Sequence, residues 1–371
     1  AIPNRTNTPV GAVPAQDAFR AAAAEVFQTR RAVSEQALGR ACADGGTMAA
    51  CRFRLILLAA ALARPAMAAS GFGPRAKPRV QAAKQVRATG GGSPVLRDDA
   101  TACLQRAGGD LGVAQSLYLS DGAKLVQSRD PEAFSRLVSY REKVNAVSDR
   151  TSYDRTSHEL LLKLTWNSIA AFMPFDARPS RKIDRRLKRI ADASCKSESP
   201  LGASGPILDV GCGDGELVPH IRELAPDQDQ SYLGIDLSTV MVERARRAHP
   251  NTRFEECSFA ALASRPPQRE RYACVIFNGA LQFFADQDDT LASAAALLRP
   301  GGRIVIAHVH GASFVRQENS GNRAVAVSTL PTRKELEAAA TRLGMIVEED
   351  ALSAETGGED FYLFSLIRLL T

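Results

Sequence analysis

The chain has no run of about 18 apolar residues, so it offers no segment of the length a membrane-spanning helix needs. Its seven cysteines, at 42, 51, 103, 195, 212, 257 and 274, form no Cys-x-x-Cys pair and no zinc-ligand spacing. An odd number in a chain of 371 residues also argues against a disulfide framework, and reduced thiols with no metal are expected. No Asp or Glu occurs between residues 45 and 97, where nine Lys or Arg stand. That stretch alone exceeds the net charge of +6, and residues 98–371 carry a net −4. Basic charge is therefore confined to the N-terminal quarter, which makes a nucleic-acid partner unlikely for the body of the chain. What remains is 45% apolar and 24% charged overall, ordinary for a globular chain with material for about two domains.

The acid-free stretch has an order of its own. After Met48 come Arg52 and Arg54, then nine apolar residues over 55–63, then "AMA" at 66–68. A basic start, a short apolar middle and small residues before a cut are the pattern of a signal peptide. Residues 69–97 that follow are basic and Ala-rich, as in a transit peptide. The pair resembles the bipartite presequences of algae with secondary plastids, in which a Phe just behind the signal cleavage site directs import; "ASGF" puts Phe72 there. The expectation is a targeting presequence or disordered extension over 1–97, signal-like at 48–68 and transit-like at 69–97, with Met48 as a possible true start and the plastid (chloroplast) as destination. A secreted protein, or a basic arm on a cytoplasmic one, are the alternatives.

Beyond the Gly-rich 89–94, residues 98–200 read as helical. Asp130 and Pro131 open one helix as N-cap and first residue, and Thr156 with Glu159 reads as a capping box opening another. The segment 181–190 places Ile183, Leu187 and Ile190 on one stripe among six basic residues. Such a helix is either a solvated face or an RNA-binding one. From 201 to 371 strand and helix alternate: "PILDV", "SYLGIDLS", "TRFEECSF", "YACVIFNG" and "RIVIAHV" are strands. A helix is expected from about Gly215, another over 239–250, one over 289–302 closed by Pro300 and the Gly301–Gly302 turn, and a capped one from Thr332 to Gly344. Two last strands near 345–351 and 361–369 have no evident helix between them. The expected fold is α/β: a Rossmann-like, doubly wound seven-stranded sheet with a C-terminal antiparallel hairpin, preceded by N-terminal helices.

In such a sheet the ligand lies beyond the carboxyl ends of the strands, and the turn after the first strand comes closest to it. "ILDVGCGDGEL" gives up side chains at Gly211, Gly213 and Gly215 in that turn. The spacing is not the G-x-G-x-x-G of a dinucleotide site, and Asp209 two places ahead repels phosphate but suits a cation. Asp236 ends the second strand, 21 residues beyond Gly215, placed to accept hydrogen bonds from both hydroxyls of a ribose. A ribose-bearing cation without phosphate describes S-adenosylmethionine.

Here "ILDVGCGDGEL", "YLGIDLS", "VIFNGALQFF" and "LLRPGGRIVIAH" resemble, in order, the motifs of class I S-adenosylmethionine-dependent methyltransferases, closest to the small-molecule type 11/12 group; the match runs from about 205 to 310. The resemblance implies that Asp209 and Gly211, Gly213 and Gly215 line the methionine and ribose part of the cofactor, with Cys212 among them as a small residue the turn tolerates. It implies that Asp236 takes the ribose, that Leu237 packs on adenine, that Ser258 stands where many members place an aspartate for the adenine amino group, with Phe259 beside it, and that Asn278 and Gly279 flank the methionine. The Asn-Pro-Pro-Tyr motif of amino-methylating enzymes and the paired-glutamate loop of arginine methyltransferases are absent, which favours a small, apolar or aromatic acceptor. An RNA methyltransferase and a non-catalytic S-adenosylmethionine-binding protein are the alternatives. In "AHVHG", His308 and His310 fall on one side of a strand end, and His308 is the candidate general base.

Overall fold

Seven strands make one sheet in the order β3-β2-β1-β4-β5-β7-β6. They are β1 (Ile207–Val210), β2 (Tyr232–Asp236), β3 (Arg253–Glu256), β4 (Tyr272–Asn278), β5 (Leu298–His308), β6 (Met345–Glu349) and β7 (Tyr362–Arg368). The computed structural model describes residues 94–146, 153–173, 179–196, 205–225, 231–266 and 271–369. The expected presequence therefore lies outside the described residues except for 94–97, which fall in a first helix, α1 (Pro94–Arg106), that begins ahead of the boundary expected at 98.

Strands β1 to β5 run parallel, and β7 runs antiparallel to both β5 and β6. The chain moves outward from β1 through β2 to β3, then returns to the other side of β1 at β4. The switch point lies between β1 and β4, where an open α/β sheet offers its crevice. Because alternate residues of a strand face opposite ways, the sheet has two apolar faces. Leu208, Val275, Phe277 and Ile306 pack against α8 (Phe259–Ala263), α9 (Gln287–Leu297) and α11 (Arg333–Leu343). Ile207, Cys274, Ile276 and Val305 pack against α5 (Arg181–Cys195), α6 (Val218–Leu224) and α7 (Thr239–Ala248). Burial on both faces is why β1 and β4 read as apolar runs rather than alternating ones.

Several boundaries differ from the sequence pattern. Helix α6 starts at Val218, not Gly215, because Gly213 and Gly215 hold positive φ in the turn. Pro300 and the two glycines after it belong to the irregular start of β5, whose register shifts against Tyr272 and Cys274, rather than to the end of α9. A five-residue helix, α12 (Ala351–Glu355), stands between β6 and β7 where none was expected; Asp350 caps it through Leu352 N and Ser353 N. A capping box at Thr332 and Glu335 and a left-handed Gly344 bound α11 as expected.

Ahead of the sheet come α2 (Leu111–Arg129), α3 (Pro131–Ala146) and α4 (Arg155–Ala170). Asp130 Oδ1 accepts from Ala133 N at 2.9 Å, as its reading as a cap requires. Helix α4 is capped two residues earlier than expected: Asp154, not Thr156, accepts from Ser157 N, and Glu159 is instead hydrogen-bonded to Ser258.

Helix α5 settles what its basic stripe is for. Arg186 is buried; Nη1 donates to Val309 O at 2.6 Å, Nη2 pairs with Asp360, and the guanidinium lies 5.4 Å from the Phe361 ring centre. Arg189 is bidentate to Asp350, Lys182 pairs with Asp360 and Lys188 with Glu223. Four of the six basic residues of 181–190 thus pair with other parts of the chain, and of these only Arg186 is buried.

Candidate functional site

The turn after β1 is tied down by main-chain bonds. Gly211 N and Cys212 N both donate to Ile235 O, at 2.8 and 3.0 Å. A Cβ on Gly211 would stand 2.9 Å from Ala280 Cβ, so a side chain there collides with the loop after β4. At Gly213 (φ +56) no atom lies within 4 Å of where a Cβ would be, which leaves that side of the turn open to a ligand.

Asp236, at the end of β2, joins the turn to the next helix. Its Oδ2 accepts from Gly213 N at 3.1 Å and its Oδ1 from Ser238 N at 2.8 Å. Burial pushes this carboxyl up to about 6 against the pull of those N–H donors. The sequence pattern foresaw a carboxylate for two hydroxyls; it did not show that the same carboxylate orders the glycine turn. Each oxygen retains a lone pair for a ligand hydroxyl.

Asp209 lies in the sheet itself, opposite Gly234 of β2 and Ile276 of β4, and is 2% exposed. Tyr232 OH donates to its Oδ2 at 2.6 Å, a partner that no local pattern singles out. Its Oδ1 is buried and has no partner among the described residues. Burial raises the Asp209 carboxyl to about 7; Tyr232 opposes the rise and the charge of Asp236 adds to it. Asn278, at the end of β4, also has a buried Oδ1 without a partner. Gly279 follows with φ +66 and donates to Ala307 O at 2.8 Å.

Asp236, Asp209 and Asn278 thus stand on three adjacent strands, β2, β1 and β4, with Asp236 bonded to a backbone turn that is open at Gly213. Buried acceptors without donors are uncommon in folded chains and mark a place for a ligand that brings donors. S-adenosylmethionine brings ribose hydroxyls, an ammonium and a positive sulfur, so the residues fit the cofactor.

The Cys212 thiol packs under the turn, 2.8 Å from where a Cβ on Gly234 would be, among the residues covered by α5 to α7; burial keeps it a thiol, and it faces the core rather than a ligand. Ser258 caps α8 by accepting from Ala261 N at 3.2 Å and is bonded to Glu159, because β3 ends at Glu256 and a helix begins where strand was expected. Phe259 sits in the core, edge-on to Phe277 at 5.5 Å and Phe284 at 6.1 Å. Leu237 is half-buried directly after Asp236.

His308 is the last residue of β5, facing Tyr362 of β7, and is buried. Its Nδ1 accepts from His310 N at 3.1 Å, and its ring stacks on Phe314 of α10 (Gly311–Gly321) at 5.3 Å. Burial lowers its pKa to about 3, with the His310 charge adding to the effect. A neutral imidazole whose Nδ1 accepts carries its proton on Nε2. These contacts make His308 a hydrogen-bond donor and correct its assignment as a general base: the lone pair a base needs is already engaged. His310 does stand beside it, ring centres 6.0 Å apart.

Three further residues near these elements had no signal in the sequence. Asn167 Oδ1, on α4, accepts from Ser238 Oγ at 2.7 Å and Val240 N at 3.3 Å, pinning α4 to the start of α7. Arg244 donates to Asp214 of the glycine turn at 3.2 Å and to Met173 O at 3.0 Å. The buried His158 of α4 contacts Phe283 O through Nε2 at 2.9 Å and Tyr140 OH through Nδ1 at 3.0 Å. Each joins groups more than 15 residues apart, and only the fold brings them together.

Residues 207–302 match a family model described as a methyltransferase domain. Trans-aconitate 2-methyltransferase of Methylobacterium nodulans is 31% identical over 123 residues, covering 33% of this chain and 45% of that protein. Malonyl-[acyl-carrier protein] O-methyltransferase of Hahella chejuensis is 34% identical over 119 residues, covering 32% of this chain and 42% of that protein. The chain spans less than half the length of these curated relatives. Among solved structures, an S-adenosylmethionine-dependent methyltransferase from Mesorhizobium loti aligns with 50% of this chain and 100% of its own at 20% identity and a TM-score of 0.39.

Proposed function

We propose, from the class I methyltransferase domain that residues 207–302 form, that this chain transfers the methyl group of S-adenosylmethionine to a small acceptor with an apolar or aromatic body. The observation that carries the reading is Asp236 bonded to the glycine turn that is open at Gly213, with unpartnered acceptor oxygens on Asp209 and Asn278 of the adjacent strands. S-adenosylmethionine, when bound, supplies an electrophilic methyl group, so the protein contributes position rather than covalent chemistry. Asp236 accepts the ribose hydroxyls while holding Gly213 N. Asp209 Oδ1 and Asn278 Oδ1 take the donors of the methionine end. Asn167 and Arg244 hold α4 and the glycine turn in register with α7. His308 donates from Nε2 toward the strand end at Gly279, 4.0 Å from where a Cβ on that glycine would be. The relative named for methylating trans-aconitate supports a small-molecule acceptor.

The test is incubation of the full chain with methyl-labelled S-adenosylmethionine and a metabolite extract, followed by identification of the labelled product. Label in a small molecule is expected. Cofactor binding with no label transferred to any compound would make the chain a non-catalytic binder, and label in RNA would make nucleic acid the substrate.

We also propose that residues 48–97 direct the chain to a plastid. The support is the order of basic start, apolar segment, small residues, Phe72 and acid-free tail.

A further inference from the structure

Beside the strand end at Gly279 stand polar groups to which no cofactor contact is assigned. Gln282, in the single 3-10 turn Leu281–Phe283 after β4, is 2% exposed. Its Nε2 donates to Gly279 O at 3.1 Å and reaches Glu318 Oε2 at 3.4 Å, while its own Oε1 is buried without a partner. Glu318 is on α10, one turn beyond Phe314, so the two share a helix face. Phe314 in turn stacks on His308, whose Cδ2 lies 3.8 Å from where a Cβ on Gly279 would be. An aromatic plane and a carboxyl thus stand side by side at the strand end where Gly279 has no side chain to fill the space. No Lys or Arg among the described residues pairs with Glu318, so its charge is not already answered. Burial pushes this carboxyl up to about 7, with the Gln282 amide opposing. A proton acceptor works best when its pKa lies near the working pH. A structural carboxyl in such a place would be expected to have an ion-pair partner.

We infer that Glu318 is a catalytic residue of the acceptor site, receiving the proton of a phenolic or enolic hydroxyl whose oxygen takes the methyl group. The inference rests on the methyltransferase reading and names the acceptor class for that site. The hydroxyl oxygen forms its bond to the methyl carbon as the carbon–sulfur bond breaks and its electron pair passes to sulfur. The hydroxyl proton passes to Glu318, which becomes a carboxylic acid and returns its proton to water after the product leaves. Gln282 holds Oε2 and leaves Oε1 to the acceptor; Phe314 offers a face to its ring. A polycarboxylate acceptor is disfavoured by the same arrangement, because its charge would stand against that of Glu318.

The test uses the full chain saturated with S-adenosylhomocysteine and titrated calorimetrically with 4-nitrophenol and, separately, 4-nitroanisole, which has the ring but no hydroxyl. The native chain is expected to bind the phenol about tenfold or more tightly than the ether, a difference typical of one charge-assisted hydrogen bond. Glu318→Gln is expected to remove that preference while S-adenosylhomocysteine affinity stays within about twofold, since no cofactor contact is assigned to it. Glu318→Asp, which keeps a shortened carboxyl, is expected to keep part of the preference, and it serves if the Gln variant does not fold. Equal binding of the two probes by the native chain, no binding of either, or a preference that survives Glu318→Gln would overturn the inference. Failure of S-adenosylhomocysteine itself to bind the native chain would show before any probe is added and would overturn the methyltransferase reading first.

Discussion

Asp236 Oδ2 holds the amide of Gly213 at 3.1 Å, so the residue proposed to take a ribose also sets the shape of the glycine turn. Substituting Asp236 with Ala removes an acceptor from the ligand and an anchor from the protein. We expect S-adenosylmethionine affinity to fall by roughly 2–3 kcal/mol. Calorimetry with unchanged affinity at intact folding would remove Asp236 from the site.

Gly213 and Gly234 separate ligand contact from packing. A Cβ on Gly213 meets nothing within 4 Å, so Gly213→Ala is expected to lose only the roughly 1–2 kcal/mol of stability that left-handed backbone costs a side chain. The added methyl projects into the cofactor's approach, and affinity should drop at least tenfold. Gly234→Ala instead drives a Cβ to 2.7 Å from Phe254 and 2.8 Å from Cys212, with an expected loss of about 1–3 kcal/mol in stability. Thermal unfolding and cofactor titration of both variants check the contrast; a Gly213 variant that binds normally would contradict it.

Asp209 makes the ligand-free fold sensitive to pH in a defined direction. Its carboxyl is raised to about 7 by burial, so between about pH 4 and 7 the folded chain keeps a proton that the unfolded chain has released. The stabilisation from this group is full below the unfolded value and is lost as pH rises through 7. Asp209→Asn cannot ionise. From pH 5 to pH 8 the stability difference should move in favour of the Asn variant by roughly 2–3 kcal/mol. Urea unfolding of both proteins at the two pH values measures this, and a difference that stays flat would show a normally ionising carboxyl.

A fluorescent fusion of residues 48–97 should enter a plastid, and Phe72→Ala should divert it. A cytosolic signal from the unmutated fusion would reject the targeting proposal.

The α/β alternation and the glycine turn were legible because each follows from local pattern: apolar runs bounded by Gly and Asp, and side chains given up where a strand ends. Thr332, Glu335 and Gly344 were legible for the same reason, since a capping box spans four residues and a left-handed stop needs only its glycine. What escaped depends on neighbours distant in the chain. Nothing in the local pattern showed that Ser258 caps a helix. Tyr232 is 23 residues from the Asp209 it serves, and Gln282 is 36 from Glu318. His308 misled because strand periodicity gives the side a ring faces but not which of its nitrogens is engaged. The five residues of α12 were too few to show a helical period.

The place of β7 between β5 and β6 bears on how the chain is made. It is the last of the seven strands to leave the ribosome, yet it is an interior one. Until Tyr362–Arg368 has emerged, β5 has an open edge beside the site and β6 has no strand to pair with. A nascent chain stalled after Glu349 would carry every residue assigned to the cofactor and still expose an unpaired, apolar strand edge, the kind that associates with other chains. Synthesis of the final strand, rather than of the glycine turn, is the event that closes the sheet.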